Sequence, residues 1–335
     1  MKNRIILLIG ILVLFSGCSR RSEHKVDIST INIKVEVARF DRDLFALDKN
    51  NMTKGILLLE KKYGNFFKLF NTQVIQIGPS TDPAYPRYLK EFLTADVVGM
   101  AYQTSQKVFP NMDGLNKELT DAFKRYKYYF PNKPVPKIYT YIAGFNQSIV
   151  VDDHILGIGL DKYLGSDCKL YLRLGLPRYM THNMAKEKIA SDCMHAMALT
   201  DYTLKDSTVN LLANMIYYGK ALYFTKAMLP DEEDTIITGF TKKQLQWCKQ
   251  NEKDMWTYLV ERKLLFSSEV LTISKFMDIG PFTKEFTKDS PAQAAVWLGW
   301  RIIESYMKNN PDVTLPELME ENNAQEILTL SNYQP

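Results

Sequence analysis

The stretch Lys137–Gly165, KIYTYIAGFNQSIVVDDHILGIGLDKYLG, decides the fold class of this 335-residue chain. It follows the proline-rich segment 131–136, PNKPVP, where the pattern turns from helical to extended. Ile138, Tyr139, Tyr141 and Ile142 predict one strand, Ser148–Val151 a second and His154–Leu160 a third. Gly-Phe-Asn and Asp-Asp separate them, the punctuation of neighbouring strands in a small sheet. On both sides the apolar residues recur at helical spacing. Upstream helices are expected over Phe40–Leu47, Ile56–Phe70, Tyr88–Phe109 and Leu115–Phe130. Downstream of Pro177 they are expected over Met180–Leu199, Val209–Met228, Thr241–Leu265, Pro291–Lys308 and Pro316–Leu328. One further strand is expected where Ile31, Ile33, Val35 and Val37 alternate with Asn32, Lys34, Glu36 and Ala38. The expectation is an α+β chain, mostly helical, with a small sheet at about residues 137–160 packed on helices and a helical C-terminal half.

The first residues, MKNRIILLIGILVLFSGC, are a leader rather than part of the fold. Lys2 and Arg4 form its basic end and Ile5–Phe15 an apolar core too short for a permanent span. Phe15-Ser16-Gly17-Cys18 is a lipoprotein cleavage site, so Cys18 is the expected lipid anchor, carrying a diacylglycerol and an acyl chain. Residues 1–17 are then the signal peptide, 18–30 a tether and 31–335 a single domain with a joint at 131–136. No acidic cluster follows Cys18, which favours an outer-membrane anchor facing the periplasm over surface display.

Of the 42 basic residues two lie in the leader, leaving the mature chain near +2 against 38 acidic residues. That balance points away from nucleic acid. Cys168, Cys193 and Cys248 lack C-x-x-C spacing, and buried single thiols are expected in preference to a disulfide.

One segment has the frame of a metal site. Residues 189–197 read IASDCMHAM, with His195 four residues after Ser191 and three after Asp192. Zinc hydrolases place two imidazoles one helical turn apart as H-E-x-x-H, with Glu beside the first acting on the bound water. Here Ser191 stands for the first His, Asp192 for the Glu, and Tyr218, before Gly219 in MIYYGKALYF, for a later Glu ligand. Ser is a poor zinc ligand, one His does not hold the ion tightly, and Asp is a methylene shorter than Glu. No catalytic residue and no metal are expected from such a set. The pairing of Ser191 with His195 lacks the elbow and oxyanion-hole signature of a nucleophile. His154, His182, Cys193 and Asp161 lack the spacing to complete another metal set.

In GIGLDKYLG, Gly157 and Gly159 alternate along a strand and suggest close approach of backbone or ligand. Gly157, Gly159, Asp161 and Tyr163 are therefore binding candidates, with Asp161 also suited to capping the turn that follows it.

The ordered set of FSGC, VARFDRDLF, GIGLDKYLG, MIYYGKALYF and AVWLGWRIIESY…LPELME…ILTLSNY resembles the gliding-motility lipoprotein GldB family over nearly the whole mature chain. That family is in turn similar to predicted HExxH zinc peptidases. The resemblance implies a zincin-like core with a degenerate site at Ser191, Asp192, His195 and Tyr218. It also implies a place among the envelope proteins of a motility or type 9 secretion apparatus. The expected function is a non-catalytic lipoprotein that binds or scaffolds other envelope proteins. A residual metal-dependent peptidase or peptidoglycan hydrolase using Asp192 and His195 is the alternative.

Overall fold

A computed structural model describes residues 25–204 and 209–335; Cys18 and the leader lie outside the described residues. Its centre is a four-stranded sheet of order β1-β2-β4-β3. The strands are β1 (Val37–Ala38), β2 (Lys137–Tyr141), β3 (Ile149–Asp152) and β4 (Ile155–Gly159). β1, β2 and β4 run parallel, and β3 closes the edge antiparallel to β4. The expected sheet is present with nearly the expected strands.

Alternation along each strand sorts side chains to two faces. Tyr141 and Ile155, with Tyr139 and Val150 beside them, join one core with Phe40, Phe66 and Phe70. Ile138, Leu156 and Ile158 point the other way, into a larger core with Phe123, Met194 and Trp297. The first core is covered by α1 (Phe40–Phe45), α2 (Met52–Tyr63), α3 (Asn65–Leu69) and α4 (Tyr85–Thr94). Phe40 meets Tyr63, Phe66 and Phe70 edge to face at 4.9–5.1 Å. Such pairs add about 0.5–1.5 kcal/mol each beyond their buried area.

The second face carries α5 (Asp96–Val108), α6 (Asp113–Tyr129), α9 (Ile189–Asp201) and α10 (Leu211–Met228). Short helices α7 (Lys169–Arg173) and α8 (Arg178–Thr181) lead into α9, and α11 (Asp234–Thr238) follows α10. Then come α12 (Lys242–Gln250), α13 (Glu252–Glu261), α14 (Val270–Met277), α15 (Ala294–Asn309), α16 (Leu315–Glu320) and α17 (Ala324–Ser331). α10 is buried on nearly every side. No helix among the described residues is long and apolar enough to cross a membrane.

Five expectations need correction. The helix read over Tyr88–Phe109 divides at the extended Ala95 into α4 and α5, and the one read over Met180–Leu199 is interrupted after Thr181, with α9 starting only at Ile189. The strand read over residues 31–38 keeps its alternating burial, but only Val37 and Ala38 pair with a strand. The amides of Val35 and Val37 donate instead to Thr120 Oγ1 (3.0 Å) and Asn116 Oδ1 (2.9 Å) on α6. The helix read over Ile56–Phe70 breaks at Gly64, where φ is +50° and glycine carries no Cβ to oppose the turn. The helix read over Thr241–Leu265 divides at Asn251 into α12 and α13.

Candidate functional site

α9 places the S-D-x-x-H frame beside β3, β4, α6 and α10, and Ser191 reaches α11 through the Ile236 carbonyl. Lys188, in the turn before it, organises the polar side chains. Its Nζ donates to the carbonyls of Ile236 (2.7 Å) and Ile237 (3.3 Å), and to Ser191 Oγ (3.2 Å). It also lies 3.2 Å from Asp192 Oδ1. A Lys four residues N-terminal to an Asp is the weaker orientation for a helix surface pair. The gain here is tertiary: the ammonium ties α9 to the C-terminal carbonyls of α11, where a cation is favoured.

Ser191 is buried, and its hydroxyl donates to Ile236 O at 3.2 Å. Asp192 receives the Tyr163 hydroxyl on Oδ2 at 2.8 Å. Burial, and then the Asp192 charge, push the Tyr163 hydroxyl well above its ordinary range, so it remains a donor. His195 is half-buried with Nδ1 sealed from solvent and without a hydrogen-bond partner. Burial, with the nearby Lys188 charge adding to it, lowers its pKa to about 4. The imidazole is therefore neutral across the physiological range.

This donor set does not fit zinc. Ser191 hydrogen-bonds to a carbonyl, Asp192 is paired with Lys188 and accepts the Tyr163 hydroxyl, and His195 stands alone as an imidazole. Among the described residues no group of three His, Cys, Asp or Glu side chains is placed to hold a metal ion.

Tyr218 lies at the rim of the core, and the hydroxyl that reaches α9 belongs to Tyr217, donating to Leu199 O at 2.9 Å. Gly219 has a packing reason: a Cβ there would lie 2.4 Å from Gly299 C, and one at Gly299 would lie 1.8 Å from Met215 O. The two glycines let α10 and α15 cross with backbones nearly touching.

Gly157, Gly159, Asp161 and Tyr163 are all buried, so none presents a surface to a ligand. A Cβ at Gly157 would meet Val150, Tyr141 and Phe66, and one at Gly159 would meet Gln147 O at 2.4 Å. The close approach is made by the protein's own backbone and rings. Asp161 does not cap the turn after it. Its Oδ2 accepts the amides of Ala143 (3.1 Å) and Phe145 (2.6 Å), holding the β2–β3 loop, while Oδ1 has no partner. Burial outweighs those amides and raises its pKa to about 6. His154 is exposed on the β3–β4 turn, paired with Asp153, away from His195. Cys168, Cys193 and Cys248 are free thiols, the last two buried.

Sequence reasoning missed two features. Asp41, in VARFDRDLF, is fully buried and paired to Arg39 through Nε (2.8 Å) and Nη2 (2.7 Å). It also accepts from Gln106 (2.9 Å) and Thr140, joining α1, α5 and β2. The signal was the R-x-D spacing within an apolar run. Glu118 lies on α6 beside a cavity of about 440 Å³ formed with Met112, Leu115, Glu187 and Ile189. Burial, then Glu232 and Glu187, raise its pKa to about 7. Nothing in the periodicity of α6 marked it.

The family model described as gliding motility protein GldB matches residues 21–335. The chain belongs to that family. The matched range takes in all four strands and the whole helical half of the chain. The family is one of gliding-motility-associated lipoproteins of the cell envelope. Comparison with curated proteins and with solved structures finds no match.

Proposed function

We propose that this GldB-family chain is a non-catalytic lipoprotein, held through Cys18 at the inner leaflet of the outer membrane, that scaffolds a motility or secretion apparatus by binding another envelope protein. The observation that carries the reading is the internal use of the frame's polar atoms: Ser191 and Asp192 are both engaged by Lys188, and Ser191 donates to Ile236. A zincin-like ancestry for the core is part of this reading, supported by the S-D-x-x-H frame and its family resemblance. The binding role is supported by an exposed apolar strip: Phe266 (56%), Val270 (77%), Leu271 (69%) and Ile279 (72%). Exposed apolar surface of this kind is a feature of protein-contact sites.

Metal analysis of the purified chain and of His195→Ala tests it. The expected result is no stoichiometric zinc in either, and no turnover of a broad peptide library with or without added zinc. One zinc per chain that is lost in His195→Ala, or zinc-dependent turnover, would overturn it.

A further inference from the structure

Within the tether, Lys25 is docked on the domain. Lys25 Nζ lies 2.6 Å from Asp231 Oδ1, and Arg125 Nη2 lies 3.9 Å from the other oxygen of the same carboxylate. Arg125 Nη1 also donates to Met228 O, the last residue of α10, at 3.3 Å. The exit is thus at the C-terminal end of α10, beside the last two turns of α6. Seven peptide steps separate Lys25 from Cys18, a reach of at most about 24 Å. With Cys18 as the anchor, this end of the domain would be the one held near the bilayer.

The surface at that end suits a lipid interface. Tyr128 and Tyr129 close α6 in an edge-to-face pair at 5.1 Å, with Tyr128 51% exposed. With Tyr223, Met307 and Pro316 they line an open groove of about 510 Å³. Lys124 is one turn before Tyr128 on the same face of α6. Three of the four carboxylates in the acidic run Asp231–Asp234 are offset by cations: Asp231 pairs with Lys25 and Arg125, Glu233 with Lys242 and Asp234 with Lys226, while Lys226 also donates to the Glu232 carbonyl. Tyrosine favours the boundary where one end of the ring is apolar and the other wet.

We propose that the tyrosine-lined groove at the end of α6 rests on the phospholipid headgroup–acyl boundary of the membrane that holds the anchor. The proposal rests on the reading of Cys18 as a lipid anchor. It also sets the direction of the domain. Leu211 and Leu212, at the start of α10, donate to Ser267 O and Leu265 O, so the exposed strip around Phe266–Leu271 lies one length of α10, about 27 Å, from the tether exit. That strip faces away from the bilayer, where a protein partner would meet it.

The test is photocrosslinking of the full lipidated chain in phosphatidylethanolamine–phosphatidylglycerol vesicles, with benzoylphenylalanine placed at Tyr128, at Lys124 or at Leu271 in separate preparations. The mass of the N-terminal peptide is measured in each to report acylation of Cys18. Phospholipid adducts at 128 and 124, unchanged in high salt and at background for 271, are expected. Acylated Cys18 with no lipid adduct at 128 or 124 overturns the proposal and leaves the anchor intact. Protein adducts at 128 in place of lipid, or equal lipid adducts at 271, overturn it too. An unacylated Cys18 overturns the anchor reading, and the proposal with it.

Discussion

His195→Gln tests whether the imidazole is a buried neutral group or a residue poised for charge. Its pKa falls from an ordinary 6.5 to about 4 in the folded chain, so the folded state resists a proton that the unfolded state accepts. Stability from this group is complete above pH 6.5 and is lost as pH falls toward 4. Binding linkage for these two values gives a loss of about 2 kcal/mol between pH 8 and pH 5, with a ceiling of about 3 kcal/mol at lower pH. Glutamine does not titrate and keeps most of the volume. Whatever the substitution costs at pH 8, that cost should shrink by about 2 kcal/mol at pH 5. Urea unfolding followed by tryptophan fluorescence, at both pH values and for both chains, measures the difference directly. If the gap between the two chains stays constant to within about 0.5 kcal/mol, the imidazole is not sealed in the way described. A gap that widens at pH 5 would mean a stabilising charged form, and the account of α9 would fail.

Asp161→Asn should show the opposite trend. Its folded pKa of about 6 exceeds the ordinary 3.8, so the wild-type group adds stability as pH falls through 6; the wild-type chain should gain about 1 kcal/mol over the variant between pH 8 and pH 5 in the same unfolding assay. Gly299→Ala forces a methyl to within 1.8 Å of Met215 O and should cost at least about 1–3 kcal/mol as α10 and α15 separate, read as a lowered Tm. Gly99→Ala on α5, with nothing within 4 Å of the new methyl, should instead add about 0.5–1 kcal/mol. Asp41→Ala leaves the half-buried Arg39 without its carboxylate, though still donating to Phe109 O and Gln106, and should cost about 3 kcal/mol, seen as a lower urea midpoint at unchanged slope.

Most of the secondary structure was legible because local periodicity and punctuation carry it. The strands after Pro136 and the long helices α6, α10 and α15 follow from spacing alone, as does the alternating burial of residues 31–37. The breaks at Gly64, Ala95 and Asn251 were not legible. A helical pattern continues through each; glycine permits the turn at Gly64, and packing against other elements decides that the chain turns there and at the other two. The S-D-x-x-H frame was visible as a departure from a metal helix, since residue type and helical spacing define that chemistry. The partners that its side chains take in the fold were invisible. Lys188 meets Ile236 and Asp192 meets Tyr163 across tens of residues of sequence, and no local signal joins them.

The sequence alone therefore determined the class of elements, the lipoprotein leader motif and the S-D-x-x-H frame, because each depends on residue identity at short range. Only the tertiary structure decided that Gly157, Gly159, Asp161 and Tyr163 are buried rather than ligand-facing. It alone decided that Gly219 answers Gly299 across a helix crossing. It alone brought Lys25, Arg125 and Asp231 together beside the tyrosines of α6. Those outcomes depend on which surfaces meet when a long chain folds, and periodicity within one segment does not contain that information.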